Sequence, residues 1–449
     1  MKKLSILVLV ILLAACTASP ATRIPASPTG TPNLRATGTA QIYASWTEMV
    51  QTLTAQPPQD TPAPTVTEAL PTNIPSPAEA TPTPNPALQP GQPVALTNLH
   101  MIDAATGWGI ESSGRILHTN NGGNTWQDVT PPQGIYKEGG FFALDANTAW
   151  AARYRDCEKE QPCIGGYPVF GNVWHTSDGG QTWYTSQPFS LDEPVQFFMP
   201  RTIQFLDKNI GWFQVSVAYN MGQDKYRLFL TTDGGENWEL VSDNYSGPML
   251  CNGVSTGFSD VQRGWMGDNC LLSVQLDAAR LGLYETTDSG HTWDWFALPI
   301  PANAPNGFKP DEFCGAVKVY TIAPDAIGLN IACDAHDPKS MYYFYYLTSD
   351  GGQTWHSGIG TGNEYFFNAN IGWRLLASTS GQADELQQTS NGGSIWTTIK
   401  SVAWQDAQFD FVDENLGWAL AASDDVTTLV HTKDGGQTWT EIKPVIGNR

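Results

Sequence analysis

Seven copies of one nine-residue element, each ending in tryptophan, occupy the chain between residues 118 and 439. The copies are His118–Trp126, His175–Trp183, Leu230–Trp238, Glu285–Trp293, Leu347–Trp355, Gln388–Trp396 and His431–Trp439. The fifth reads Leu-Thr-Ser-Asp-Gly-Gly-Gln-Thr-Trp. Repetition of this kind narrows the possible folds more than any other feature. Each unit is one supersecondary piece that cannot bury its apolar faces alone, so neighbours must stack. A second element precedes each box. An Asp or Asn (Asp103, Asp145, Asp207, Asp260, Asn368, Asp413) is followed four residues later by Gly or Ala and then by Trp108, Trp150, Trp212, Trp265, Trp373 or Trp418. In the fifth unit the pattern slips to Asp325, Gly328 and Leu329. Thirteen of the 17 tryptophans are thereby repeat positions, which makes them structural before anything else.

Within a unit, stretches such as Thr202–Leu206, Trp212–Val217, Tyr226–Leu230 and Trp238–Val241 read as strands separated by turn clusters, about four per unit. At the centre of each box stand Asn121, Asp178, Asp233, Asp288, Asp350, Asn391 and Asp434. Their side chains can accept backbone N–H bonds, and the following glycines admit positive φ. The tryptophan then lays an aromatic plate on a neighbouring sheet. Asn at two of the seven places can make the hydrogen bonds but not the chemistry of a carboxylate, so the position is read as structural. Seven four-stranded sheets, apolar on both faces, specify an all-β, seven-bladed β-propeller over residues 93–449. Successive box tryptophans are 57, 55, 55, 62, 41 and 43 residues apart, so the first five units carry the longer loops. Both ends read as complete units, which points to ring closure without exchange of a strand.

The opening segment has the form of an export signal over residues 1–15. Lys2 and Lys3 precede an apolar run that is too short to span a bilayer. It ends in Leu-Ala-Ala-Cys16, which resembles the lipobox of bacterial lipoproteins; that likeness implies acylation at Cys16 and anchoring on the outer face of the cytoplasmic membrane. Residues 16–92 are rich in Thr, Pro, Ala and Ser and cannot bury enough apolar surface to fold, so they form a disordered stalk. It would reach on the order of 200 Å as polyproline II and about 50 Å as a coil. Ile42, Tyr43, Trp46, Met49, Val50 and Leu53 form a short apolar face within it, which could dock on a partner or membrane but by its length reads as a transient helix. The six remaining cysteines are even in number in an exported chain and read as structural disulfides. Proximity favours Cys157–Cys163, Cys251–Cys270 and Cys314–Cys333, and the spacings do not match zinc pairs. A formal charge of −21, with no basic cluster, excludes a nucleic-acid partner.

The boxes resemble the Asp-box (BNR) repeats of sialidase-type and sortilin-type propellers. Together with the Asp-x-x-x-Gly-Trp element, they most resemble the photosystem II assembly and stability factor family, over about residues 94–449. The resemblance implies seven blades and a client held by a cluster of arginines. In this sequence Arg115, Arg153, Arg155, Arg201, Arg263, Arg280, Arg374 and Arg449 are scattered, and the cysteines and stalk are further departures. A related propeller with a different client fits these residues.

Catalytic constellations are weak. Arg23-Ile24-Pro25 imitates a sialidase signature but lies in the stalk. Among 44 acidic residues a glycosidase-like pair can always be drawn, so the pairing has no content without geometry. His118, His175 and His431 share one repeat position, and His291 and His356 sit at boxes. The loop Asp334–Asp337 could hold a cation but reads as solvated. The run Met341–Leu347 reads as a strand between blades rather than a sugar platform. The residues therefore imply no cofactor, no metal and no catalytic set. They point to a non-catalytic scaffold for a protein partner, the alternative being a carbohydrate-binding or sialidase-like surface hydrolase. These readings differ at the ring axis, where hydrolysis requires two carboxylates about 5 to 9.5 Å apart.

Overall fold

A computed structural model describes residues 88–448, apart from 133, 136–139, 154–156, 158, 160–162, 193–194, 221–222, 249–254, 268–280, 306–307, 309–312, 324–325, 335–340, 378–383 and 425. The export segment with Cys16, the stalk to residue 87, Arg23, the apolar face 42–53, Cys251, Cys270, Asp325 and residues 335–337 lie outside the described residues.

Seven antiparallel sheets of four strands follow one another in chain order: blades 1 (96–128), 2 (141–185), 3 (199–243), 4 (255–297), 5 (313–360), 6 (365–402) and 7 (406–442). In blade 3 the strands are Met199–Phe205, Gly211–Asn220, Gln223–Thr231 and Glu239–Asp243, from the axis outwards. The seven-bladed propeller expected from the boxes is thus the fold of the chain. The predicted strand Met341–Leu347 is the third strand of blade 5, with Phe344 to Leu347 buried between blades.

The packing explains why glycine precedes tryptophan in the second element. That glycine opens the second strand beside the last side chain of the inner strand. A Cβ on Gly211 would lie 2.5 Å from the Phe205 ring, and one on Gly417 would lie 2.4 Å from Phe411. Removing the Cβ lets the phenylalanine lie flat, and the tryptophan of the preceding blade stacks on it. Trp150 meets Phe205 at 3.5 Å and 7°, Trp212 meets Phe258 at 3.8 Å and 6°, and Trp373 meets Phe411 at 3.5 Å and 7°. Aromatic pairs contribute about 0.5–1.5 kcal/mol each beyond the area they bury. Blade 2 uses another solution, Ala143 against Ala149, small on small.

The same indoles stitch the ring. Trp150, Trp212, Trp373 and Trp418 donate from Nε1 to Gly234 O (2.7 Å), Ser289 O (3.0 Å), Gly435 O (2.9 Å) and Gly122 O (3.1 Å), each in the box of the next blade. Three blades depart from this rule. In blade 1 the Trp108 indole donates to Asp145 O at 3.0 Å, in the Asx turn of blade 2 rather than its box. In blade 4 the Arg263 guanidinium donates to Gly351 O, and the Trp265 indole N–H finds no partner among the described residues. Blade 5 has Leu329 in place of tryptophan, and Tyr345 Oη, from the third strand, donates to Gly393 O at 2.7 Å. Tyr345→Phe should therefore cost about 1–2 kcal/mol, because a buried carbonyl loses its donor. Thermal unfolding of the variant checks this, and an unchanged midpoint would deny the tyrosine its stitching role.

Closure involves no exchange of strands within a blade, as both complete end units imply, but it adds a strand that the repeats did not announce. Val445–Ile446 runs parallel to the outer strand of blade 1, Thr125–Asp128. Its other edge pairs with the entry segment: Gly91 N donates to Ile446 O, Ile446 N to Gln92 O, and Val94 N to Pro444 O. Ile446 is buried with Leu96, Leu99, Trp126 and Trp418, at the seam between the last blade and the first.

Candidate binding face

Antiparallel succession puts the links between strands one and two, and between three and four, at one end of the disc. The links between strands two and three, and from blade to blade, lie at the other. The first end is uniform. Its six described five-residue turns are closed by an Asx side chain on two backbone N–H groups; Asp207, for instance, accepts from Asn209 (2.7 Å) and Ile210 (2.8 Å). The boxes complete this end.

Every box carboxylate is consumed by its own turn. Asp350 Oδ1 accepts from Thr348 Oγ1 (2.8 Å) and Thr354 N (2.9 Å), and Oδ2 from Thr354 Oγ1 (2.6 Å). Asp178, Asp288 and Asp434 have the same arrangement, and at Asp233 the Asn237 side-chain amide takes the place of the second threonine hydroxyl. Asn121 and Asn391 accept from Thr125 N and Ile395 N in their place. The Thr354 hydroxyl, and then its N–H, hold the Asp350 carboxyl down at about 2. Asp178 and Asp434 are lowered by the corresponding Thr182 and Thr438 bonds. A carboxylate lowered in the folded state stabilises it above the unfolded value near 4 and ceases to do so as pH falls toward the folded value. The thermal midpoint should therefore drop between about pH 4 and 2, and Asp350→Asn should flatten that slope. Equal slopes in a melting series would refute this.

The opposite end is irregular. Its links range from 221–222 in blade 3 to 153–172 in blade 2, the latter containing the Cys157–Cys163 disulfide. Cys314–Cys333 ties the two innermost strands of blade 5 at the same end. Both pairs agree with the proximity reading. Exposed apolar side chains concentrate here, among them Ile164, Tyr167, Met199, Tyr219, Tyr245 (73 % exposed) and Val426 (63 % exposed). Fewer lie at the box end, where Val261 and Ile395 are joined by Tyr184, Leu240 and Trp295 on outer strands just after their boxes. Proteins seldom leave several large apolar groups on one face unless something covers them. No sequence signal marked this face, since it depends on which links share an end.

The described arginines form no free cluster. Arg115 pairs with Asp128, Arg153 lies 5.8 Å over Trp174, and Arg201 binds Asp224 at 3.2 Å. Arg227 is buried against Leu191 O, Arg263 is held by Gly351 O, and Arg374 is bound to Gln387 at 2.9 Å over Trp396.

At the axis, side chains bridge the free edges of inner strands. Gln204 accepts from Phe258 N and donates to Phe258 O, Tyr365 Oη accepts from Phe411 N, and Asp410 accepts from Met101 N with His100 Nδ1 at 3.5 Å. Blade 4 places Gly257 at this level, and a cavity of about 540 Å3 opens along blades 1 to 5, between residues such as His100, Phe142, Gln204 and Tyr320. None of the described residues lining it is Asp or Glu, so they do not form the carboxylate pair required for glycoside hydrolysis. His118 meets Ala146 O, His175 stacks on Trp150, and no group of three metal-ligating side chains forms among the described residues.

No family model matches the chain. It is similar to a photosystem II assembly lipoprotein. That relative, Ycf48 of Parasynechococcus marenigrum (strain WH8102), is 22% identical over 171 residues, which cover 34% of this chain and 49% of the relative. The chain thus spans about half the length of the curated relative it matches. Among solved structures, Ycf48 bound to D1 peptide superposes with a TM-score of 0.42 at 15% identity, covering 77% of this chain and 94% of that one. An ancestral GH74 enzyme gives 0.44 at 11% identity, covering 80% and 47%. At such values neither superposition separates a binding role from a hydrolytic one.

Proposed function

We propose that this chain is a non-catalytic scaffold, tethered outside the cytoplasmic membrane through Cys16 and the 16–92 stalk, that binds a protein partner on its irregular loop face. The observation that carries the reading is the segregation of the two ends. Box-end carboxylates are spent on their own turns, whereas the loop end displays exposed tyrosines and aliphatics. The curated relative is by name an assembly lipoprotein, which supports a protein client over a glycan. The scattered, internally bound arginines favour a client other than a photosystem subunit. Photo-crosslinking residues introduced at Tyr167 and Tyr245, and at Ile395 on the box end, test the reading in cells of the source bacterium. Protein adducts should form from the two loop-face positions, and adducts confined to Ile395 would overturn it. Cys16→Ser should shift the protein from the membrane to the soluble extracytoplasmic fraction.

A further inference from the structure

We propose that the loop face recognises an extended partner segment that carries lysine or arginine beside aromatic or aliphatic anchors, laid from blade 3 toward blades 6 and 7. This deepens the reading above and rests on it. The apolar end of the track is blade 3. Met199 starts its inner strand, Tyr219 stands at the tip of its tall hairpin, and Tyr245 follows its outer strand with Lys225 Nζ 5.5 Å from the ring. Three large side chains on the loop end of one blade offer anchoring contacts of the kind that dominate peptide recognition.

The other end is acidic and held in place. Asn363 donates to Asp406 at 3.3 Å, Gln405 donates to Asp424 at 3.2 Å, and the Asp424 backbone N–H donates back to Gln405 at 3.0 Å. These bonds hold Asp424 at φ 52 in the blade 7 hairpin, beside exposed Val426. Both carboxylates are exposed. Of the described cations nearest this end, Arg374 is occupied as described, Lys318 lies over Tyr320, and Lys443 stands beyond the outer strand of blade 7. Residues 93–449 hold 40 of the 44 acidic and 19 of the 23 basic residues, so the disc itself carries the negative charge. A face of this sign attracts a cationic segment and repels an acidic one. The chain's own stalk, with Arg23 and Arg35 against four acidic residues, does not supply that charge. The mode is opposite in sign to capture of a client by an arginine cluster.

The test uses the full chain and three labelled peptides of about 14 residues, long enough to cross the face at ~3.3 Å per residue. One alternates Lys/Arg with Trp/Leu, one replaces the cations with Glu, and one replaces the apolar residues with Ser. Fluorescence anisotropy should favour the first, with binding weakening about tenfold between 50 and 300 mM salt. Asp406→Asn/Asp424→Asn should weaken it about fivefold, as should Tyr219→Ser/Tyr245→Ser, with melting temperatures unchanged. A control, Glu236→Gln/Glu414→Gln, removes the same charge from exposed box-end positions and should leave affinity as it was. Equal or better binding of the Glu peptide, or equal weakening by the control, would overturn the inference. If loop-face crosslinks persist while the cationic preference is absent, only this inference falls; if both fail, the proposed function falls with it.

Discussion

Removal of residues 444–449 should lower the thermal midpoint by roughly 10 °C, or abolish cooperative unfolding. The segment provides the middle of a three-part clasp. Besides the three bonds to residues 91–94, Val445 N donates to Asn124 O (3.2 Å) and Gly447 N to Trp126 O (2.8 Å). Five backbone bonds at about 1 kcal/mol each, with about 2 kcal/mol for burying Ile446, approach the total stability of an ordinary domain. Ile446→Ala separates the packing from the pairing and should cost about 2–4 kcal/mol by itself. Deleting residues through Val94 instead removes the partner on the other edge of the same strand. The two deletions should therefore be markedly less than additive. A C-terminal deletion that melts within 2 °C of the parent would show that the seam is held by the Trp418 to Gly122 stitch and the packing of blades 7 and 1 alone.

Gly211→Ala should destabilise by about 2–3 kcal/mol, far more than the usual cost of a glycine-to-alanine change in a strand. The new Cβ would meet three atoms of the Phe205 ring at 2.5, 2.6 and 2.7 Å. That ring cannot retreat, because it is stacked on Trp150 and its other neighbours include Trp238, edge-on at 5.9 Å. The prediction becomes specific as a cycle. Phe205→Ala should cost about 3–5 kcal/mol through the cavity it leaves. In that background Gly211→Ala should cost nothing or restore some stability, because it reproduces the Ala143 and Ala149 pair of blade 2. Chemical denaturation of the four proteins measures the coupling, and an equal penalty in both backgrounds would show that backbone conformation, not the ring, dictates glycine here.

These two cases divide what could be read from the chain. The boxes and the Gly-Trp elements were legible because each is a local solution repeated seven or six times. Asp350 closes a turn with groups within six residues of itself, and repetition alone announces a stacked fold. The pairs Cys157–Cys163 and Cys314–Cys333 were legible for the same reason, since both are near in sequence. The proposed export signal and lipid anchor at Cys16 rest on a pattern that is local in the same way, and Cys16→Ser is their test.

Other features required the ring. Nothing near Tyr345 in sequence says that its hydroxyl replaces an indole; the partner Gly393 is 48 residues away and becomes a neighbour only when blades 5 and 6 pack. Val445–Ile446 is too short to signal a strand, and it becomes one because closure brings Thr125 and the entry segment to its two edges. Likewise, no residue pattern told Tyr245 and Asp424 that they share a face; alternation of strand direction placed both at the loop end. The sequence by itself determined the blade, through turns and strand contacts that each unit makes largely within itself. Tertiary structure decided the seam, the stitching and the exposed face, because those depend on which distant edges meet when seven sheets close a circle.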